Sequence, residues 1–222
     1  MGYIKRDLEP KILSLSKEYA CILITGPRQV GKTTVLRQLM APERHYVTLD
    51  DLEERRLARE DPALFLQMHD LPLFIDEVQY APQLFSYIKI AIDNGAAPGS
   101  FWLTGSQAFR MMELAQESLA GRVAILHMPG LSQHELYGSG ENTPFTLSLE
   151  VLKGRKSTGA PVDLAGMYER IWKGSLPGYR SGKFTDRNTF YSSYLQTYID
   201  RDVSDLVGLT DKLIFQDFIR AA

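Results

Sequence analysis

Gly26-Pro27-Arg28-Gln29-Val30-Gly31-Lys32-Thr33 sets two glycines, a lysine and a hydroxyl residue at the spacing Gly-x4-Gly-Lys-Ser/Thr, a pattern whose chemistry resides in the main chain. Glycines lack a Cβ, so successive backbone N–H groups can close around a polyphosphate, and a helix N-terminus directly behind them adds its positive end. In that reading the contact set runs from Gly26 to Thr34. The Lys32 ammonium reaches the β- and γ-phosphates, and the Thr33 hydroxyl completes a Mg²⁺ shell. The pattern arises by chance in roughly one chain per hundred of this length, so its flanks decide the matter.

A second chemical group follows at Leu73-Phe74-Ile75-Asp76-Glu77. Two adjacent carboxylates at the end of an apolar strand are poorly explained by packing, and alone they would read as a solvated turn. Behind a phosphate loop they read as a pair in which Asp76 holds the Mg²⁺ water shell and Glu77 polarises an attacking water. Thr104-Gly105-Ser106-Gln107 ends another strand. Thr104 or Ser106 either senses the γ-phosphate from the same sheet edge or caps the next helix. Arg122, after Gly121, reads in isolation as a cation at a helix C-terminus.

These groups need a scaffold that brings them to one place. Residues 20–25 form a continuous apolar run, the pattern of a parallel strand covered on both faces. From Lys32 the period becomes helical, with Val35, Leu36, Leu39 and Met40 on one face and Pro42 as the stop. Further strands are expected at 46–49, 71–75, 101–104 and 123–128, and helices at 52–69 (restarted at Asp61-Pro62), from Pro82, and at 109–120. Strands alternating with helix-sized crossovers make an α/β sheet, mainly parallel, whose strand order is not readable from spacing.

After Glu135 the texture changes. Residues 1–137 form the phosphate-loop core, 138–162 are rich in Gly, Ser, Thr and Pro and read as a loop or insertion, and 163–222 read as a helical C-terminal segment. That segment has a helix near 163–173, a turn at 174–178 and a long helix from Asp186 to Val207. Its aromatic stripe, Phe190, Tyr191, Tyr194 and Tyr198, has the spacing of a core face. Residues 212–222 begin another amphipathic helix without a cap, which leads us to expect a polypeptide that continues.

Composition bounds the function. The chain has 222 residues, 44% apolar and 23% charged, with 25 basic and 27 acidic side chains. A net charge of −2 supplies no long-range pull toward nucleic acid or anionic lipid. No apolar run reaches the ~20 residues of a membrane helix. The single cysteine, Cys21, lies in an apolar run and suits a reducing compartment, the cytoplasm. His45, His69, His127 and His134 lack ligand spacing, so no zinc site is expected.

Together the loop, the Asp76-Glu77 pair, Leu103 to Gln107 and Ser118-Leu119-Ala120-Gly121-Arg122 resemble an AAA+-type ATPase. More narrowly they resemble the prokaryotic ATPases that carry a C-terminal domain of unknown function. The likeness extends through Pro129 to Glu135 and Tyr194 to Val203. It implies a five-stranded P-loop sheet in the order 5-1-4-3-2 with helices on both faces, followed by a small helical segment. It also implies ATP and Mg²⁺ as ligands, Thr104 or Ser106 as sensor, and Arg122 as an arginine finger. A finger works across a subunit boundary, which implies a homo-oligomer assembled with nucleotide.

Three functions compete. The leading one is a Mg²⁺-dependent ATPase, a switch or motor for a C-terminal effector, with DNA or protein as partner. A small-molecule kinase shares the same loop, but the acidic pair favours water as the nucleophile. A nucleotide-gated DNA- or protein-binding module would draw on the basic residues Lys153, Arg155, Lys156, Arg180, Lys183 and Arg187, which otherwise read as solvated faces. No Asn-Lys-x-Asp sequence occurs to read guanine.

Overall fold

A computed structural model describes residues 2–106, 119–138, 146–158, 162–198 and Phe218. The chain divides into two compact units, one spanning Tyr3–Val162 and the other Asp163 onward together with the first two residues.

The first unit is built on five strands: β1 (Cys21–Thr25), β2 (His45–Thr48), β3 (Leu73–Asp76), β4 (Phe101–Gly105) and β5 (Val123–His127). Their order is β2-β3-β4-β1-β5 and every pairing is parallel. The order the family likeness implied is therefore present, and the sheet is wholly rather than mainly parallel. All five residues of β1 are buried, as a central parallel strand demands.

Alternation along the strands sends Cys21, Leu23, Leu73, Ile75, Phe101 and Leu103 into one core. There they meet Ala58 of α3 (Leu52–Glu60), Phe65 of α4 (Pro62–Met68) and Leu84, Phe85 and Ile88 of α5 (Leu84–Asp93). The intervening residues Ile22, Ile24, Phe74 and Trp102 face the other way and are buried too. On that face lie α1 (Glu9–Leu15) and α2 (Lys32–Leu39), with Ile12, Val35 and Leu36 fully buried. The Trp102 indole N–H donates to Ser16 Oγ at the end of α1 (2.9 Å), and the Arg44 guanidinium stacks over its ring. Burial pulls the Arg44 pKa down to about 10.

Local signals explain several boundaries. Asp61 stops α3 and starts α4, its carboxylate accepting from Leu64 N–H (2.9 Å) with Pro62 behind it. Asp51 caps α3 in the same manner. Ser132 and Glu135 form a reciprocal capping box on the short helix α6 (Gln133–Tyr137).

Some expectations need correction. The helix α1 was not anticipated, because seven residues carry too little periodicity to register. The stretch 138–162, read as a loop or insertion, is helical over α7 (Leu149–Thr158). The turn expected at 174–178 gives way within its span to a short helix, α9 (Pro177–Arg180). The helices expected at 109–120 and 212–222 lie outside the described residues, apart from their end positions Leu119 and Ala120 and from Phe218.

In the second unit, α8 (Leu164–Lys173) and α10 (Arg187–Tyr198) flank α9. The long helix expected to Val207 is described as far as Tyr198. Phe190 is buried in an aromatic cluster with Tyr179, Phe184 and Tyr191, ring centroids 5.1–5.9 Å apart.

Candidate functional site at the carboxyl edge of the sheet

Parallel register places Thr48, Asp76, Gly105 and the start of the loop after Thr25 at one edge of the sheet. In open α/β sheets that edge, beside a reversal of strand order, is where ligands bind.

The loop joins β1 to α2 in a backbone conformation that depends on its glycines. Gly26 has φ +147°, and a Cβ there would lie 2.2 Å from the carbonyl oxygen of Met128, which follows β5. Gly31 is left-handed (φ 95°) and forms the N-cap of α2, where it brings no side chain of its own to the first-turn N–H groups. Gln29 is also left-handed at φ 61°. Val30 is buried and pins the loop's middle, whereas Pro27, Gln29 and Thr34 are exposed and Arg28 is intermediate.

Lys32 is buried, and its ammonium donates to the carbonyls of Gly26 and Pro27, both at 2.9 Å. The Thr33 hydroxyl donates to the Asp76 carboxylate, 2.8 and 3.1 Å from its two oxygens. Two further hydroxyls converge on that carboxylate. Tyr46 of β2 donates at 3.1 Å, and Thr104 of β4 makes a short bond to it. The Tyr46 hydroxyl is held protonated by burial first and by the Asp76 charge second, and Arg37 stacks on its ring at 3.8 Å.

Glu77 follows in the left-handed region (φ 58°, ψ 45°), uncommon for a residue with a Cβ. Its N–H donates to Thr104 Oγ1 (3.2 Å) and its carboxylate accepts from the Gln79 amide. The same amide reaches Ser106 Oγ at 3.3 Å. Lys32, Thr33, Asp76, Glu77, Thr104 and Ser106 are thus brought to the loop's edge by α2, β3 and β4.

Arg122 is not. It precedes β5 and lies at the amino edge of the sheet, about 16 Å of strand away from the loop's edge. There its guanidinium pairs with Asp93 at the end of α5 (2.6 Å) and donates to Ala120 O. The Arg122 hydrogen bond, then Lys89, holds the Asp93 carboxyl below its ordinary value.

With this geometry in place, comparison with known proteins decides the family. Residues 18–137, more than half of the chain, match the family model described as AAA domain. The chain belongs to the AAA domain family. Two mycobacterial proteins, both named as uncharacterised, one from Mycobacterium bovis and one from Mycobacterium tuberculosis, are each 28% identical over 206 residues. The match covers 91% of this chain but only 40% of each relative. The Walker-type ATPase PABY2304 of Pyrococcus abyssi shares the fold at 16% identity, with a TM-score of 0.52, 92% of this chain and 75% of that chain covered.

The unit Tyr3–Val162 also carries a buried brace that the sequence reading missed. Arg6, ahead of α1, donates from Nε to Glu135 (2.9 Å) and from its two terminal nitrogens to the carbonyls of Val30 (2.6 Å), Pro129 (2.9 Å) and Gly130 (3.3 Å). One guanidinium therefore ties the phosphate loop to the segment after β5. The Ser132-x-x-Glu135 pattern was readable as a capping box, but nothing local connects Glu135 to a partner 129 residues away. Arg6→Ala leaves the nearly fully buried Glu135 carboxylate without its cation and is expected to lower stability by about 3 kcal/mol. Urea denaturation measures it, and a loss under about 0.5 kcal/mol, typical of a surface change, contradicts the brace.

Proposed function

We propose that this AAA domain binds ATP with Mg²⁺ and hydrolyses it as a switch for further regions of a longer protein. The convergence of Thr33, Thr104 and Tyr46 on the Asp76 carboxylate, next to a glycine loop and a buried lysine, carries this reading. Loop N–H groups and the α2 N-terminus bind the phosphates, and Lys32 supplies positive charge to the β- and γ-oxygens. The Thr33 hydroxyl and the Asp76 carboxylate are hard oxygen donors of the kind Mg²⁺ takes while keeping several waters, so the residues fit that ion. When bound, it neutralises phosphate charge.

Glu77 accepts a proton from water as the water oxygen bonds to the γ-phosphorus and the bond to the β–γ bridging oxygen breaks, leaving ADP and inorganic phosphate. Thr104 and Ser106, beside Glu77, are the candidate γ-phosphate sensors. Arg122, remote from its own loop, serves a neighbouring copy in a nucleotide-dependent homo-oligomer. The relatives' extra length, 60% of each, leaves room for an effector, and DNA or protein is its partner in this reading. Among the described residues no helix is long and apolar enough to cross a membrane. The free, buried Cys21 agrees with assignment to the cytoplasm.

Phosphate release against protein concentration, with Mg²⁺ or with EDTA, tests the proposal. Release that vanishes in EDTA, at a specific rate rising with concentration, is the expected result. A Mg²⁺-dependent but concentration-independent rate removes Arg122 from the mechanism, and no Mg²⁺-dependent release at any concentration removes the ATPase.

A further inference from the structure

The amide of Gln79 is the most unusual polar group in this region. It lies in the short 3₁₀ turn Val78–Tyr80 directly after Glu77 and is more than nine-tenths buried. Its nitrogen is committed twice, to the Glu77 carboxylate and to Ser106 Oγ. Its oxygen, Oε1, is buried and meets no donor among the described residues. Turning the amide over would let the oxygen accept from the Ser106 hydroxyl but would press it against the Glu77 carboxylate, which has only lone pairs to offer, and would take away that carboxylate's donor. The amide is therefore fixed with its donors on the acid and an unspent acceptor on the same carbon. A buried carbonyl without a donor is unfavourable, and a small donor would relieve it.

We propose that Gln79 is a catalytic residue for hydrolysis: its nitrogen aims the Glu77 carboxylate, and its oxygen accepts a hydrogen bond from the attacking water while Glu77 takes that water's other hydrogen as a proton. Water entering beside Glu77 with the nucleotide is the donor the reaction would supply to this buried oxygen, and two acceptors set about the water oxygen would orient a lone pair outward to the γ-phosphorus. Ser106, on the same nitrogen, links this pair to the end of β4. The proposal rests on reading Glu77 as the proton acceptor.

Steady-state hydrolysis by Gln79→Met, similar in shape but without polar atoms, is compared with Glu77→Gln and with the double variant. For Gln79→Met we expect kcat to fall about 10- to 100-fold with KM within about threefold. The double variant should be no slower than Glu77→Gln alone, since both changes disable one unit. Gln79→Asn, which keeps the amide one methylene shorter, should recover part of the rate, and Gln79→Leu serves if the methionine variant does not fold. Wild-type kcat in Gln79→Met or Gln79→Leu, with Glu77→Gln inactive, overturns the role of Gln79 and leaves the site intact. Additive losses in the double variant reduce Gln79 to a structural brace and overturn it equally. A wild-type rate in Glu77→Gln takes down the reading of Glu77 and this inference with it.

Discussion

Lys32→Ala should abolish measurable ATP binding at concentrations where the wild-type domain saturates. A lysine ammonium on phosphate oxygens forms charge-assisted hydrogen bonds worth about 1.5–3 kcal/mol each. Losing two of them costs about 3–6 kcal/mol, or roughly a 10²- to 10⁴-fold weaker Kd. Lys32 is buried and donates to Gly26 O and Pro27 O, so the substitution also strips two loop carbonyls of their donor. Thermal melting therefore accompanies calorimetry. A variant that melts within a few degrees of wild type yet no longer titrates with ATP locates the defect in the phosphate contact. Lys32→Arg is a sharper comparison, because it keeps the charge but replaces a compact ammonium with a planar fork that the space between those two carbonyls does not match. Retained affinity in Lys32→Ala would mean that the glycine loop is a structural turn, and the site would fall with it.

What could be read in advance divides along physical lines. The β1–loop–α2 unit was legible because each of its signals is local: an apolar run, glycines at fixed offsets, then a helical period. Asp61-Pro62 announced a helix restart for the same reason. The environment of Asp76 was not legible in full. Its carboxylate gathers hydroxyls from Thr33, Tyr46 and Thr104, which lie 43, 30 and 28 positions away. Only strand order and register bring them together, and that order came from family likeness rather than from spacing. Tyr46 carries no signal beyond its place in the strand expected at 46–49, and nothing local singles out Gln79. Arg6 is the extreme case, a surface-type residue by composition that is buried by contacts with Val30 and with residues 129–135. The Thr104 and Ser106 alternatives turned on a helix at 109–120. That helix lies outside the described residues but for its last positions, and within the described ones the two hydroxyls join the Asp76, Glu77 and Gln79 network.

Glu77→Gln isolates proton acceptance from everything else the carboxylate does. Glutamine has the same shape and tolerates the left-handed backbone at position 77 no worse than glutamate. Its side-chain carbonyl can still accept from the Gln79 amide, so the contact between the two survives. What disappears is basicity. Removal of a general base typically costs 10²- to 10⁴-fold in rate, so kcat should fall about 100-fold or more while ATP affinity stays within about threefold. Single-turnover phosphate release and calorimetry measure the two quantities separately. Because the variant holds ATP without consuming it, it should also prolong whatever assembly the nucleotide promotes. Sedimentation with ATP and Mg²⁺ then reports whether Arg122 of one copy has a loop on another to serve. A Glu77→Gln rate equal to wild type would move the base elsewhere, whereas lost affinity together with lost rate would make Glu77 part of the binding site. Intact binding with collapsed turnover, in a variant that keeps the side chain's shape and its contact with Gln79, assigns the loss to the basicity of the Glu77 carboxylate.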